Sequence, residues 1–231
     1  MEKKDVRDTL HEGQTVLWQP ARGEGYRVNV DALHLARFAA RARRMPGPSG
    51  VRAVDLGAGV GAVGLTLLHD DAATHVTFVD RDATMLALCA RNVEENAYAA
   101  RALTQHADVA QHADLAAVLG ARADLVVANP PYVPEGRGRL PSSPRRASRS
   151  GEVEPFVVCA RALLAPRGRV CFVYPAHEAM RLVAAFRSAG LEPKRARFVH
   201  ASADAPARVV LVEACPGKPG GLVIEPPLME G

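Results

Sequence analysis

The chain has few of the features that mark secreted, membrane-bound or zinc-binding proteins. Its four cysteines are widely spaced and include no C-x-x-C pair, which argues against a disulfide framework or a zinc site and favours small buried thiols in a reducing compartment. The first residues are charged and lack the apolar stretch of a secretion signal. No apolar run approaches the roughly 20 residues that a membrane-spanning helix needs. We therefore expect a cytoplasmic protein without a membrane partner.

Other kinds of site are missing as well. The eight histidines stand singly and show no metal-ligand spacing, so no metal is expected. The formal net charge is only +4 and the pI is about 9.1, which makes the chain mildly basic. No internal repeat is present, and 231 residues are enough to bury one sheet-and-helix core. Nothing in the composition indicates an oligomeric state.

What the chain does contain is an alternation of short apolar runs and amphipathic segments, which predicts an α/β fold. The expected strands lie near residues 51–55, 75–80, 102–107, 124–129, 169–174, 195–200 and 207–214. The expected helices lie near residues 60–70, 82–97, 113–119, 152–165 and 176–189. Only a short connection separates the last two strands, so these two should pair antiparallel.

The N-terminal part should cover this core. We expect residues 1–50 to form a hairpin and a helix over a domain of residues 51–231, within a single structural unit. Two apolar segments, 15–19 and 26–30, are separated by proline and glycine, and this pattern predicts a β-hairpin. The stretch 45–50 is rich in proline, glycine and serine and should mark the edge of the core.

The first core strand leads into a glycine-rich loop, Asp55-Leu-Gly-Ala-Gly-Val-Gly61, that opens a helix. Glycines let the backbone approach a ligand closely, and a helix N-terminus offers free N–H groups. Gly59, Gly61 and Gly64 fit the dinucleotide pattern G-x-G-x-x-G, but the Asp55 carboxylate is a poor neighbour for a pyrophosphate and a good one for an ammonium group. Asp80 ends the next strand, where a carboxylate can accept hydrogen bonds from both hydroxyls of a ribose. These features suit S-adenosylmethionine (SAM), which has a ribose, a sulfonium and an ammonium group but no phosphate.

The apolar segment 124–128 is followed by Asn129-Pro-Pro-Tyr132, the most informative part of the chain. Proline fixes its own φ and moves the preceding residue out of the α region, so this tetrapeptide should be rigid. The Asn129 side-chain oxygen and the Pro130 carbonyl would then accept both hydrogens of one planar NH2 group, while the Tyr132 ring stacks on the attached planar system. Taken alone, the tetrapeptide is equally well explained as a stiff turn after a strand. Together with the glycine loop and Asp80, it should form one site at the carboxyl ends of the strands.

On these residues the chain resembles class I SAM-dependent methyltransferases of the N-P-P-Y type, in particular the bacterial tRNA1(Val) (adenine-N6)-methyltransferase family. The resemblance extends from about Gly25 to Leu228 and also includes segments 25–36, 209–214, 220–222 and 226–228. It implies a Rossmann-like fold, with a seven-stranded, mostly parallel sheet that ends in an antiparallel hairpin. It also implies methyl transfer from SAM to the N6 amine of an adenine beside a tRNA anticodon.

The resemblance assigns roles to individual residues. Those that it implies for catalysis are Asn129, Pro130 and Tyr132. Those that it implies for cofactor binding are Asp55, Gly57, Ala58, Gly59, Gly61, Asp80, Arg81, Asp108, Val109 and Asn129. Asp108 would hold the adenine amine of SAM, and a helix N-cap is its alternative explanation. Asp31 and Tyr26 are implied as pocket residues at the edge of SAM. The alternatives are core packing and, for Asp31, the N-cap of a helix from Ala32 to about Arg44.

An arginine-rich segment follows the tetrapeptide. Residues 134–150 contain five arginines against one acid, and glycine, proline and serine supply much of the remainder. Loops of this length are usually functional or disordered, and arginine can bind phosphate bidentately and stack on bases. The residues expected to contact RNA are Pro131, Tyr132, Arg137, Arg139, Arg145, Arg146 and Arg149. The alternative is a solvated basic loop without a partner.

Three other activities stay open at this point. A protein glutamine N5-methyltransferase acting on release factors uses the same tetrapeptide on an amide, but its family usually has a helical substrate-binding domain, and only about 50 residues precede Val51 here. A ribosomal RNA guanine-N2 or a DNA adenine methyltransferase is the second, although no target-recognition region of a DNA enzyme is visible. The third is a scaffold that binds SAM or RNA without catalysis, which the intact Asp55, Asp80 and tetrapeptide argue against.

Overall fold

The structure, a computed structural model, describes residues 5–21, 28–42, 50–120, 122–131 and 153–230. The helices are α1 (Val30–Ala40), α2 (Ala62–His69), α3 (Ala83–Glu95), α4 (His112–Leu119), α5 (Val153–Leu163) and α6 (Ala179–Ser188). The strands are β1 (Asp5–Leu10), β2 (Thr15–Pro20), β3 (Arg52–Leu56), β4 (His75–Asp80), β5 (Ala102–His106), β6 (Ala123–Ala128), β7 (Leu164–Pro175), β8 (Leu191–His200), β9 (Ala207–Pro216), β10 (Val223–Ile224) and β11 (Leu228–Met229). The predicted alternation of strands and helices is confirmed.

The central sheet is mostly parallel. Its order is β5, β4, β3, β6, β7, β9, β8, in which the first five strands are parallel and β9 is antiparallel to both β7 and β8. The predicted seven-stranded sheet with a final antiparallel hairpin is therefore present. Two short strands that were not predicted, β10 and β11, pair in parallel with β8 at the edge of the sheet. Strand order changes direction between β3 and β6, which is where open α/β sheets bind their ligands.

Helices cover both faces of the sheet. Alternate residues of a strand point to opposite faces, so a strand with apolar residues at successive positions needs a packing partner on each side. On one face Phe78 and Leu125 pack with residues of α1, α2 and α3. On the other, Val126 and Phe172 pack with residues of α5 and α6. Every residue of β6 is buried, which explains why this strand has a continuous apolar run. All four cysteines are buried and free, as predicted.

The N-terminal hairpin differs from the prediction. Strand β2 contains the predicted segment 15–19, but its partner is β1, and the predicted strand 26–30 was wrong at its described residues, because residues 28–30 form no strand. Strand β1 is exposed over nearly its whole length and has charged residues at three of its six positions, so no apolar alternation marked it in the sequence. Residues 28 and 29 have no regular structure, and Tyr26 lies outside the described residues.

Helix α1 begins earlier than predicted. It starts at Val30 with Asn29 at the N-cap position, so Asp31 lies in the first turn and its predicted role as N-cap was wrong. The Asp31 carboxylate is fully buried and accepts hydrogen bonds from Arg208 Nη1 and Nη2 at 3.0 and 2.6 Å. It also accepts one from Asn29 Nδ2 at 2.7 Å. A long-range ion pair, which local sequence does not reveal, thus determines the place of Asp31.

Candidate active site

Three of the predicted site segments begin at the same level of the sheet. Leu56 at the end of β3 is paired with Val79 of β4 on one side and with Ala128 of β6 on the other. The glycine loop, Asp80 and Asn129 follow directly after these paired residues. Because parallel strands run in the same direction, their carboxyl ends lie at a single edge. The structure therefore brings together the segments that the sequence predicted to share a site.

The loop after β3 is shaped by glycines. The backbone φ is +68° at Gly57, +56° at Gly59 and +90° at Gly61, a left-handed conformation that glycine adopts without strain. The N–H groups of Gly57 and Ala58 donate to the Val79 carbonyl at 2.8 and 3.0 Å, which holds the loop against β4. A Cβ added to Gly59 would meet no atom within 4 Å. The loop surface at Gly59 is therefore open to an approaching ligand.

The last two glycines of the G-x-G-x-x-G pattern allow close packing. A Cβ on Gly61 would lie 2.7 Å from Cys89 Sγ, and one on Gly64 would lie 2.2 Å from Phe78 Cε1. Contacts this short require the neighbours to move. In this protein the pattern is thus explained by the packing of α2 against α3 and β4, and not by binding of a pyrophosphate.

Asp55 lies beneath the glycine loop. Its side chain is buried, and Oδ2 accepts a hydrogen bond from the Gly64 amide at 2.9 Å. Burial is the main reason that the pKa of Asp55 is raised to about 7, and the nearby charge of Asp80 raises it further against the lowering effect of the Gly64 amide. A positively charged ligand at this place would stabilise the ionised carboxylate.

Asp80 connects β4 to the glycine loop. Its Oδ2 accepts from the Gly59 amide at 2.7 Å and its Oδ1 accepts from the Asp82 amide at 2.8 Å. Burial raises the pKa of Asp80, and these two backbone bonds oppose the rise. A carboxylate oxygen can accept more than one hydrogen bond, so each oxygen retains capacity for one ribose hydroxyl.

Arg81, Asp108 and Val109 lie at the ends of β4 and β5. Asp108 is the N-cap of a short helical turn, Val109–Gln111, and its Oδ1 accepts from the Ala110 amide at 2.9 Å. Arg81 Nη1 is 3.8 Å from Asp108 Oδ2, and both side chains are exposed to solvent in part. The capping alternative for Asp108 is thus present in the structure, while its contact with the SAM adenine stays a prediction.

The tetrapeptide is described as far as its second proline. Asn129 and Pro131 are half-buried and Pro130 is buried, directly after the fully buried β6. The remaining predicted acceptor and RNA-binding residues lie outside the described residues: Tyr132, Arg137, Arg139, Arg145, Arg146 and Arg149. Their roles stay predictions.

Two contacts of the glycine loop were not predicted. A Cβ on Gly57 would lie 3.0 Å from Phe156 Cε1, so α5 places an aromatic ring against the loop. Asn92 of α3 is fully buried, and its Nδ2 donates to the Val60 carbonyl at 2.9 Å. The sequence holds one usable signal for the second contact, because Asn92 is a polar residue on the apolar face of α3 that also carries Leu88 and Cys89.

Comparison with known proteins decides the family. The sequence model of the methyltransferase small domain matches residues 39–199 of this chain. The chain belongs to this methyltransferase family. Its structural neighbours are class I methyltransferases, and together with the family match they confirm the predicted class I methyltransferase family, the Rossmann-like fold and the SAM cofactor.

Its relatives differ in their named substrates. The tRNA1(Val) (adenine(37)-N6)-methyltransferase of Parabacteroides distasonis is 25% identical over 190 residues, which is 81% of this chain and 76% of the relative. The release factor glutamine methyltransferase of Salmonella typhimurium is 30% identical over 149 residues, which is 60% of this chain and 52% of the relative. The methyltransferase described here thus spans about half the length of the second relative. A solved Agrobacterium tumefaciens protein, titled a predicted O-methyltransferase, has a TM-score of 0.63 and 26% identity, with 86% of each chain covered.

The described residues of the methyltransferase fit SAM. A buried carboxylate suited to a cation, a second carboxylate with free acceptor capacity and an open glycine surface lie at one edge of the sheet. Within the described ranges, no group of three or more histidine, cysteine, aspartate or glutamate side chains is placed to hold a metal ion. Among the same residues, no helix has the length and apolarity required to cross a membrane.

Proposed function

We propose that this methyltransferase acts on the exocyclic N6 amine of an adenine in RNA, most directly a tRNA adenine beside the anticodon. The observation that carries the proposal is the position of Asn129 and Pro130, immediately after β6 and level with the glycine loop. Two acceptor oxygens at this place suit an NH2 group, which has two hydrogens to donate. The match to the Parabacteroides distasonis relative over 81% of this chain supports an RNA substrate.

The proposed site holds the cofactor through its carboxylates and its loop. Asp55 faces the ammonium group, Asp80 accepts from the ribose hydroxyls, and the backbone of Gly57, Ala58, Gly59 and Gly61 lies against the ligand. Arg81, Asp108 and Val109 border the adenine. Residues 1–50 cover this edge of the 51–231 domain. SAM supplies an electrophilic methyl group.

The acceptor residues compensate for a weak nucleophile. The lone pair of an exocyclic adenine nitrogen is delocalised into the ring. Asn129 Oδ1 and the Pro130 carbonyl accept its two hydrogens, favour a pyramidal nitrogen and direct its lone pair, while Tyr132 stacks on the base. These contacts would orient the nitrogen towards the methyl group that SAM supplies when bound, and the methylated nitrogen would lose a proton to water without a strong base. Orientation alone can supply effective molarities of about 10⁵–10⁸ M in well-placed pairs.

The first experiment presents two substrate classes to the same enzyme. Labelled SAM is incubated with total bacterial tRNA and, separately, with release-factor protein. The proposal expects label on the tRNA. The tRNA is the expected substrate because the bases of an anticodon loop are single-stranded. Moving one of them into the active site costs less unstacking free energy than flipping a base out of a duplex.

Glutamine methylation of release factors is the second candidate. The 30% identity to the Salmonella typhimurium enzyme favours it, and an amide NH2 would satisfy the same two acceptors. Label on the protein but not on the tRNA would select this candidate. Label on neither substrate would overturn both.

Replacement of Asn129 tests the acceptor role. Asn129→Ala removes one of the two oxygens, so kcat should fall by about 10²-fold or more, as observed when a transition-state hydrogen bond is lost. Thermal unfolding of the variant shows whether it is folded. A folded variant with nearly unchanged kcat would contradict the role assigned to Asn129.

A further inference from the structure

Asn92 of α3 and Asn96, the C-cap of this helix, bind the edge of β2 that lies opposite β1. Asn92 Oδ1 accepts from the Trp18 amide at 2.6 Å, and its Nδ2 donates to the Trp18 carbonyl at 3.0 Å. One turn later, Asn96 Oδ1 accepts from the Val16 amide and its Nδ2 donates to the Val16 carbonyl, both at 2.8 Å. Each side-chain amide thus binds one residue of β2 in the way that a neighbouring strand would, since β1 lies along the other edge.

The second Nδ2 hydrogen distinguishes the two asparagines. Asn96 Nδ2 donates its second hydrogen to the backbone carbonyl of Asn92, at 2.7 Å. Asn92 Nδ2 donates its second hydrogen to the Val60 carbonyl, at 2.9 Å. Val60 stands between Gly59 and Gly61, so Asn92 binds the glycine loop and the hairpin with one planar group.

The Val60 carbonyl lies outside the hydrogen-bond ladder of α2. Gly61 is the N-cap of this helix, and the first helical bond runs from the Leu65 amide to the Gly61 carbonyl at 2.8 Å. The Val60 carbonyl, one residue earlier, accepts from Asn92 Nδ2 instead. Asn92 is fully buried and Val60 is 3% exposed, so water is not a ready substitute for this bond.

We propose that Asn92 is a positioning residue for the SAM site, and that it couples the glycine loop to the N-terminal hairpin. It holds the Val60 carbonyl while Asp80 holds the neighbouring Gly59 amide. The conformation of the cofactor loop therefore depends on the docking of β2 on α3. This inference rests on the SAM cofactor and not on the identity of the methyl acceptor.

The matched variants Asn92→Ala and Asn96→Ala test the proposal. Both remove two hydrogen bonds to β2, but only Asn92→Ala removes the bond to the cofactor loop. Asn92→Ala should weaken SAM binding by about tenfold, because a buried carbonyl of the loop loses its donor. Asn96→Ala should change the Kd for SAM by no more than about twofold. Calorimetric titration gives both values without any acceptor substrate.

Kinetics separate positioning from a loss of structure. Asn92→Ala should raise the KM for SAM with little change in kcat at saturating cofactor, since the reacting groups are intact. Thermal unfolding of both variants reports the stability of the fold independently. Equal SAM affinity in the two variants, or a Kd for Asn92→Ala within twofold of the wild type, would overturn the proposal.

A measurement on the wild type covers the case in which Asn92→Ala does not fold. The Trp18 amide is bound by Asn92 and the Val16 amide by Asn96, and only Asn92 also contacts the loop. Saturating SAM should therefore slow hydrogen exchange of the Trp18 amide several-fold more than that of the Val16 amide. Equal slowing of both amides, or slowing of neither, would contradict the coupling.

Discussion

Asp55 and Asp80 end or nearly end neighbouring strands, and burial raises the pKa of both carboxyl groups. A folded protein with such groups holds protons that its unfolded chain would release. The ordinary pKa of 3.8 rises to about 7 in Asp55, so the free energy of unfolding falls as pH rises from 3.8 to about 7, and the full loss of stability persists at higher pH. A cationic ligand would stabilise the ionised carboxylate and so restore stability. At neutral pH, the ligand-free protein is thus less stable than a variant in which residue 55 cannot ionise.

The affinity for SAM should depend on pH through Asp55. Below pH 7 the Asp55 carboxyl of the free enzyme is protonated, and binding of an ammonium group must then release that proton. The Kd for SAM should therefore rise as pH falls from 7.0 to 5.5, by about tenfold per pH unit at most. Calorimetric titration across this range measures the effect. A Kd that stays constant would contradict the contact between Asp55 and the ammonium group.

Asp55→Asn is the control for this prediction. The amide oxygen of asparagine can still accept from the Gly64 amide, but the side chain cannot ionise. SAM binding should be weaker and independent of pH between 5.5 and 7.0. The same variant should have a higher free energy of unfolding at pH 8, by about 2–4 kcal/mol, because the wild type must keep an ionised carboxylate buried there.

At the scale of elements, the structure depends on contacts between segments far apart in the chain. Arg208 of β9 neutralises Asp31 of α1 and also pairs with Glu230 near the end of the described chain. The same ion pair places the start of α1 beside the end of β7, because Val209 is paired with Pro175. These interactions hold the start of α1 near the carboxyl end of β7.

Removal of Arg208 should therefore destabilise the fold. Arg208→Ala leaves the buried Asp31 carboxylate without its main counter-charge, and we expect a loss of about 2–4 kcal/mol in the free energy of unfolding. Urea denaturation measures the loss. The double variant Asp31→Asn with Arg208→Ala should recover at least half of it, since no charge then remains buried. No recovery would show that packing of the arginine stem, and not charge, is the main contribution.

The elements themselves could be predicted, whereas several of their contacts could not. The strands β3, β4 and β6 each contain a short apolar stretch, which identified them in the sequence, and parallel pairing then placed Asp55, Asp80 and Asn129 at one edge. Strand β1 had no such signal because its side chains are exposed. The Asn92 contact joins residues 74 positions apart in sequence, and the Asp31–Arg208 pair joins residues 177 apart. Local pattern does not contain that information.

At the scale of the whole molecule, positive charge is concentrated in the sequence segment that follows the tetrapeptide. The net charge is only +4, yet five arginines lie between residues 134 and 150. Phosphate contacts of this kind contribute affinity that falls with salt, in proportion to the number of phosphates neutralised. We propose that this segment contacts the RNA backbone and that the tetrapeptide binds the target base.

Replacement of Arg145 and Arg146 by alanine tests this proposal. The double variant should bind tRNA more weakly, and the slope of log K against log salt should become shallower by about 1–2, because up to two phosphate contacts are lost. Filter binding over a series of salt concentrations measures the slope. An unchanged slope would argue against a role of the segment in RNA binding. SAM affinity should be the same as in the wild type.

The identity of the modified nucleoside tests the account most directly. Total tRNA is methylated in vitro with labelled SAM, digested to nucleosides and separated by liquid chromatography with mass detection. We expect N6-methyladenosine as the labelled product with the wild-type enzyme, and its loss with Asn129→Ala. Label in N2-methylguanosine, or label that enters only release-factor protein, would contradict the assignment of adenine N6 as the acceptor.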